Sequence, residues 1–125
     1  MNLSKLSPLF AVLVITGCGS SYSATLTGQT PMPDGSSLTA MGGSLHTGIA
    51  TAFTPQVEKH DPFGDTSETD GVLIASSNPG VVRAASVTGS SRWIVWAVSA
   101  GAAELTITQD GNVAQTLQVV VTDPP

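Results

Sequence analysis

Cysteine is nearly absent from this 125-residue chain, where Cys18 stands alone. A single thiol excludes an internal disulfide framework and any zinc site built on cysteine pairs. Basic residues are also scarce, four against nine acidic ones, for a net charge of −5. That balance excludes the positive surface that holds nucleic acid or anionic lipid by charge alone. Aromatic residues number only two Trp, one Tyr and three Phe. The longest unbroken apolar run is Leu9–Ile15. As a helix it would reach roughly 10 Å, too short for a bilayer core that takes about 20 apolar residues. The chain has no G-x-S-x-G elbow, no H-E-x-x-H pair and no glycine-rich phosphate loop. No enzymatic activity, cofactor or metal is therefore expected.

The apolar run does fit another role. Lys5 precedes it and small residues follow it, which is the layout of a secretory signal peptide. Ile15-Thr16-Gly17-Cys18 resembles the lipobox of bacterial lipoproteins: an aliphatic residue, two small residues, then cysteine. The resemblance implies that the Cys18 thiol takes a diacylglycerol, that the chain is cut before Cys18, and that the new amino group is acylated. Several acyl chains make a stable anchor, where one alone would be marginal. Gly19 stands where an aspartate would mark inner-membrane retention, so the resemblance favours the outer membrane of a bacterial envelope. On this basis residues 1–17 are the signal peptide and Cys18 is the lipid attachment site.

The remainder is rich in Thr, Ser, Gly and Val, a composition of strands and turns. Residues 18–36 include GSSYSATLTGQTPMPDGS and are expected to form a flexible tether, with a short first strand at Ala24–Thr27 as its one ordered part. The domain is expected over 37–125. Seven runs there have strand chemistry: Ser37–Met41, Thr47–Phe53, Val72–Ser76, Val81–Val87, Trp93–Val98, Ala102–Thr108 and Ala114–Thr122. Gly42-Gly43, Asn78-Pro79-Gly80, Gly89, Gly101 and Asp110-Gly111-Asn112 read as turns between them. Asp110-Gly111 is the sharpest hairpin signal. Around it Ala103, Leu105 and Ile107 alternate with Glu104, Thr106 and Thr108, and Leu117, Val119 and Val121 alternate with Thr116, Gln118 and Thr122. About seven short strands at this spacing predict an all-β sandwich of two sheets.

SSNPGVV (76–82), VWAVSAG (95–101), AELTIT (103–108) and LQVVVTD (117–123) together resemble the group 2 bacterial immunoglobulin-like domain. Val95, Ala97 and Gly101 fall on the family's middle motif, and LTAMGG (38–43) resembles the segment that opens its second strand. The chain departs from the family where Ile74 stands in place of a frequent Trp, and in the long segment between Phe53 and Val72. The resemblance implies an immunoglobulin-like β-sandwich serving as a stalk, spacer or adhesion module.

Three sets of side chains merit attention as chemistry. His46 and His60 are expected to be plain surface residues, since no catalytic motif surrounds them. EKHDPFGDTSETD (58–70) carries Glu58, Asp61, Asp65, Glu68 and Asp70, five of the nine acids. Their spacing departs from the twelve-residue calcium loop, so a solvated, mobile loop without tight calcium binding is expected. In Arg92-Trp93-Ile94-Val95-Trp96-Ala97-Val98 both strand faces are apolar. If Val95 and Ala97 point inward, as the family resemblance implies, Trp93 does too, and Ile94, Trp96 and Val98 face outward. That outer set either contacts a protein or glycan partner, or is folded over by tether and loop residues.

The sequence thus predicts a lipid-anchored, non-enzymatic envelope protein acting as a binding or structural module. An accessory subunit of a larger envelope complex is the alternative, and a hydrolase the remote one. Its partners are the membrane, through Cys18, and a protein or glycan, but not nucleic acid.

Overall fold

A computed structural model describes residues 20–124, so the expected signal peptide and Cys18 lie outside the described residues. No described residue is helical. The strands are Ser21–Thr27 (β1), Ser37–Thr39 (β2), Gly42–His46 (β3), Ala50–Asp61 (β4), Gly64–Glu68 (β5), Val72–Ser76 (β6), Val82–Ser86 (β7), Trp93–Ala97 (β8), Gly101–Gln109 (β9) and Asn112–Thr122 (β10). One sheet has the order β1-β4-β8-β7, with β5 also paired to β4, and the other has the order β2-β3-β10-β9-β6. Only β3 and β10 run parallel; every other pairing is antiparallel. The orders β1-β4-β8-β7 and β6-β9-β10 are the A-B-E-D and C-F-G arrangement of the immunoglobulin sandwich. The protein is therefore an all-β, immunoglobulin-like sandwich.

Period-two patterning builds its core. Ala103, Leu105 and Ile107 of β9 and Leu117, Val119 and Val121 of β10 are buried, as are Phe53 and Val57 of β4 and Trp93, Val95 and Ala97 of β8. They form one apolar cluster between the sheets. The β9–β10 turn has φ of 50° at Asp110 and 87° at Gly111, so both central residues adopt the left-handed conformation of a type I′ hairpin. A bulge between Val113 and Gln115 turns Ala114 into the core. Without it, Ala114 and Leu117, three residues apart, would face opposite ways.

Three expectations need correction. The segment 18–36 is not mainly tether. Ser21–Thr27 pairs with β4 along its whole length, and Ala24 is buried with Tyr22 and Leu26 packed against the core. The sandwich accordingly begins near Ser21 rather than at residue 37.

Ten strands among the described residues replace the expected seven. Gly42-Gly43 opens β3 instead of forming a turn. A side chain at Gly42 would meet the Gln118 carbonyl oxygen at 2.8 Å, and one at Gly43 would meet Leu38 at 2.6 Å. The glycines let β3 press close to its two neighbours.

The third correction concerns the acidic stretch, which is a hairpin rather than a mobile loop. β4 runs on to Asp61, and β5 returns beside it from Gly64. Pro55, which lacks an N–H, sits where β4 has left β8 and not yet met β5. At the base of the hairpin the buried Gln109 amide donates to Glu68 at 3.1 Å and to the Asp70 carbonyl at 3.4 Å, joining the hairpin to the other sheet.

Candidate functional site

The strand that carries both tryptophans is central to its sheet, between β4 and β7. Its inward residues are Trp93, Val95 and Ala97, at 9%, 0% and 2% exposure. Alternation then sends Ile94 and Trp96 to the outer face. Ile94 is 37% exposed, Val98 just beyond the strand is 40% exposed, and Trp96 is half-buried.

Cross-strand pairing sets the neighbours of Trp96. Ala50 lies on one side and Arg83 on the other, and the next row is Ala52, Ile94 and Ala85. Alanines thus flank Ile94 on both sides and Trp96 on one, leaving a shallow floor beside the two large side chains. The Arg83 guanidinium stands 5.8 Å from the Trp96 ring centroid, within cation–π range. This arginine covers part of the indole. Arg83 was not singled out from the sequence, although its place next to the buried Val82 marks it as outward-facing. Chemically the patch offers an aromatic surface, two aliphatic side chains and one cation, a combination suited to a protein side-chain cluster or the C–H face of a sugar.

The same outer face ends in a polar group near the β4–β5 turn. His60 lies 3.3 Å by Nε2 from Ser23 Oγ and 3.3 Å by Nδ1 from Asp65, with Glu58 3.9 Å away. Serine, histidine and aspartate are therefore connected in the order of a hydrolase triad. The setting is otherwise wrong for that chemistry. The His60 side chain is 41% exposed and that of Asp65 67%, on a flat strand face that water reaches freely. Catalytic triads instead bury the acid and raise the serine on a strained turn beside oxyanion donors. Here Ser23 lies within the regular β1–β4 ladder. The chain should cleave p-nitrophenyl acetate no faster than free imidazole at equal concentration, with Ser23→Ala indistinguishable from wild type; a serine-dependent burst would restore the hydrolase alternative.

His46, at the end of β3, is held by Ser36, whose hydroxyl accepts its backbone N–H at 3.2 Å and lies 3.4 Å from Nδ1. Its contacts are those of a structural side chain. No group of three His, Cys, Asp or Glu side chains among the described residues is arranged to hold a metal ion. A cleft of about 450 Å³ opens where the β5–β6, β7–β8 and β9–β10 connections meet, with Asp70, Ser91, Asp110 and the edge of Trp93 in its wall. Cys18 lies outside the described residues, so the expected lipid site has no geometry here. No known protein-family model matches this chain, and neither does any curated protein.

Proposed function

We propose that the protein is a lipid-anchored, non-enzymatic module of the bacterial envelope, tethered through Cys18 and built to bind a partner through Ile94, Trp96 and Val98. The motif resemblance to group 2 bacterial immunoglobulin-like domains supports this reading, and so does the A-B-E-D against C-F-G strand order. The observation that carries the binding role is the outward, half-buried Trp96, set between Ala50 and Arg83 on the outer face of its sheet beside the exposed Ile94. A large aromatic side chain there gains little for the core, yet suits the centre of an interface.

Anchoring is tested by metabolic labelling with a fatty-acid probe. The wild-type protein should take the label and Cys18→Ala should not; equal labelling of both removes the anchor. For the contact patch, photo-crosslinkers placed at Ile94 and Val98 in living cells should capture one discrete partner, while one at Thr116 on the opposite sheet should not. Capture from Thr116 alone would move the interface to the other face.

The two tryptophans should also differ in solution. In single-tryptophan variants, acrylamide should quench Trp96 more strongly than Trp93, and Arg83→Ala should raise the Trp96 value further. The reverse order would place the strand one residue out of register.

A further inference from the structure

We propose that the tip of the β4–β5 hairpin rests in the membrane interface, with Phe63 as the inserting side chain, so that the domain stands on the bilayer rather than floating on a tether. The proposal builds on lipid attachment at Cys18.

Phe63 is 101% exposed and occupies the turn between β4 and β5 beside the exposed Pro62. A lone exposed apolar residue needs no explanation by itself. This one is distinguished by where the chain enters the domain. Ser21, the first residue of β1, pairs with His60, the penultimate residue of β4. Before it, the Ser20 hydroxyl donates to the Asp61 carboxylate. Cys18 is two residues from Ser20, a span of at most about 7 Å. An acylated Cys18 must therefore hold the Asp61–Gly64 turn within roughly 10–15 Å of the headgroups. A phenylalanine there is within reach of the acyl boundary, where aromatic side chains are favoured.

Charge narrows the kind of surface. Glu58, Asp61, Asp65 and Glu68 lie on this hairpin, and Lys59 is its single permanent cation. An anionic membrane would repel that group, so a zwitterionic one fits. The geometry also orients the remainder of the domain. Trp96 pairs with Ala50, at the opposite end of β4 from Asp61. Eleven steps at 3.3 Å each place that row about 36 Å along the strand from the turn. The contact patch would then lie at the end of the domain far from the membrane.

Once Cys18 is alkylated, an introduced cysteine is the only thiol in the mature chain. Pro62→Cys and, as a distal control, Ala100→Cys would each carry an environment-sensitive NBD dye on the full lipidated protein in phosphatidylcholine vesicles. The dye at 62 should shift to the blue and be quenched by spin-labelled lipid. The dye at 100 should do neither, and adding Phe63→Ser should largely abolish the effect at 62. Vesicles containing phosphatidylserine should give a smaller shift. If the protein floats with the vesicles but the dye at 62 stays in water, hairpin docking is wrong while anchoring stands. If it does not float, anchoring and docking fail together. A shift at 62 that appears without vesicles and grows with protein concentration would assign the tip to a second copy of the chain, and one unchanged by Phe63→Ser would remove the role of that side chain.

Discussion

Trp93→Ala should destabilise the domain by about 3–5 kcal/mol, the range for truncating a large core aromatic. The indole lies at the start of β8, 9% exposed, directly across the ladder from Phe53, which is fully buried. Both side chains point between the sheets. Removing the indole would leave a cavity against Phe53 that a two-sheet frame cannot easily collapse into, because backbone hydrogen bonds on both sides hold β8 in place. No internal disulfide compensates for the loss, since the chain has one cysteine. A domain of this size typically has only about 5–15 kcal/mol of stability in total, so the variant should sit near its unfolding threshold. Trp96→Ala, three residues on and outward, should cost under about 1 kcal/mol, a surface-like value. Urea unfolding of the two variants checks the pair. Equal losses would mean that the outer face of β8 is packed as tightly as the inner one.

The sequence was most legible where large apolar residues alternate with polar ones. Leu105 and Ile107, then Leu117, Val119 and Val121, mark both their strands and their inward faces, and Asp110-Gly111 marks the turn between them. The same rule put Trp93 and Trp96 on opposite faces, and the family resemblance of Val95 and Ala97 chose which one faces inward. The rule reached only part of β1: the sequence predicts a short strand at Ala24–Thr27, but the strand runs Ser21–Thr27, with inward Tyr22, Ala24 and Leu26 alternating with Ser21, Ser23, Thr25 and Thr27. There the inward set is interrupted by the small Ala24 and the flanks are Ser, Gly and Pro, so composition concealed the period.

β5 was hidden for a different reason. Gly64–Glu68 is exposed throughout and has no buried face to leave a hydrophobic period. It is a strand because β4 offers a free edge from Val57 to Asp61 once β8 has ended, and open backbone groups on that edge favour pairing. Tertiary context of this kind leaves no trace in local sequence. The pairing of His60 with Ser23 and Asp65 was equally illegible, because it depends on the register of three strands. The Trp96 patch needed only alternation within one strand, together with the inward orientation of Val95 and Ala97 that the family resemblance implies.

That alternation has its sharpest test in β9. Ile107→Ala should cost about 2–5 kcal/mol, as loss of a buried aliphatic side chain does. Ile107 is 1% exposed and pairs across the ladder with Ile74, itself buried at 7%. On its other side the β10 bulge bends Ala114 into the core, so the backbone there already departs from a regular ladder and has little freedom to close over a new cavity. Its neighbours in sequence, Thr106 and Thr108, face the outer surface and are only half-buried. Alanine at either should change stability by no more than about 0.5 kcal/mol. Chemical denaturation of the three variants, with m-values compared so that a shifted denatured state is not mistaken for lost packing, separates the two faces. If Thr106→Ala or Thr108→Ala cost more than Ile107→Ala, the faces of β9 would be inverted. The register carried from β9 to β6 and β10 would then fail with it, since a one-residue slip exchanges every inward side chain for an outward one.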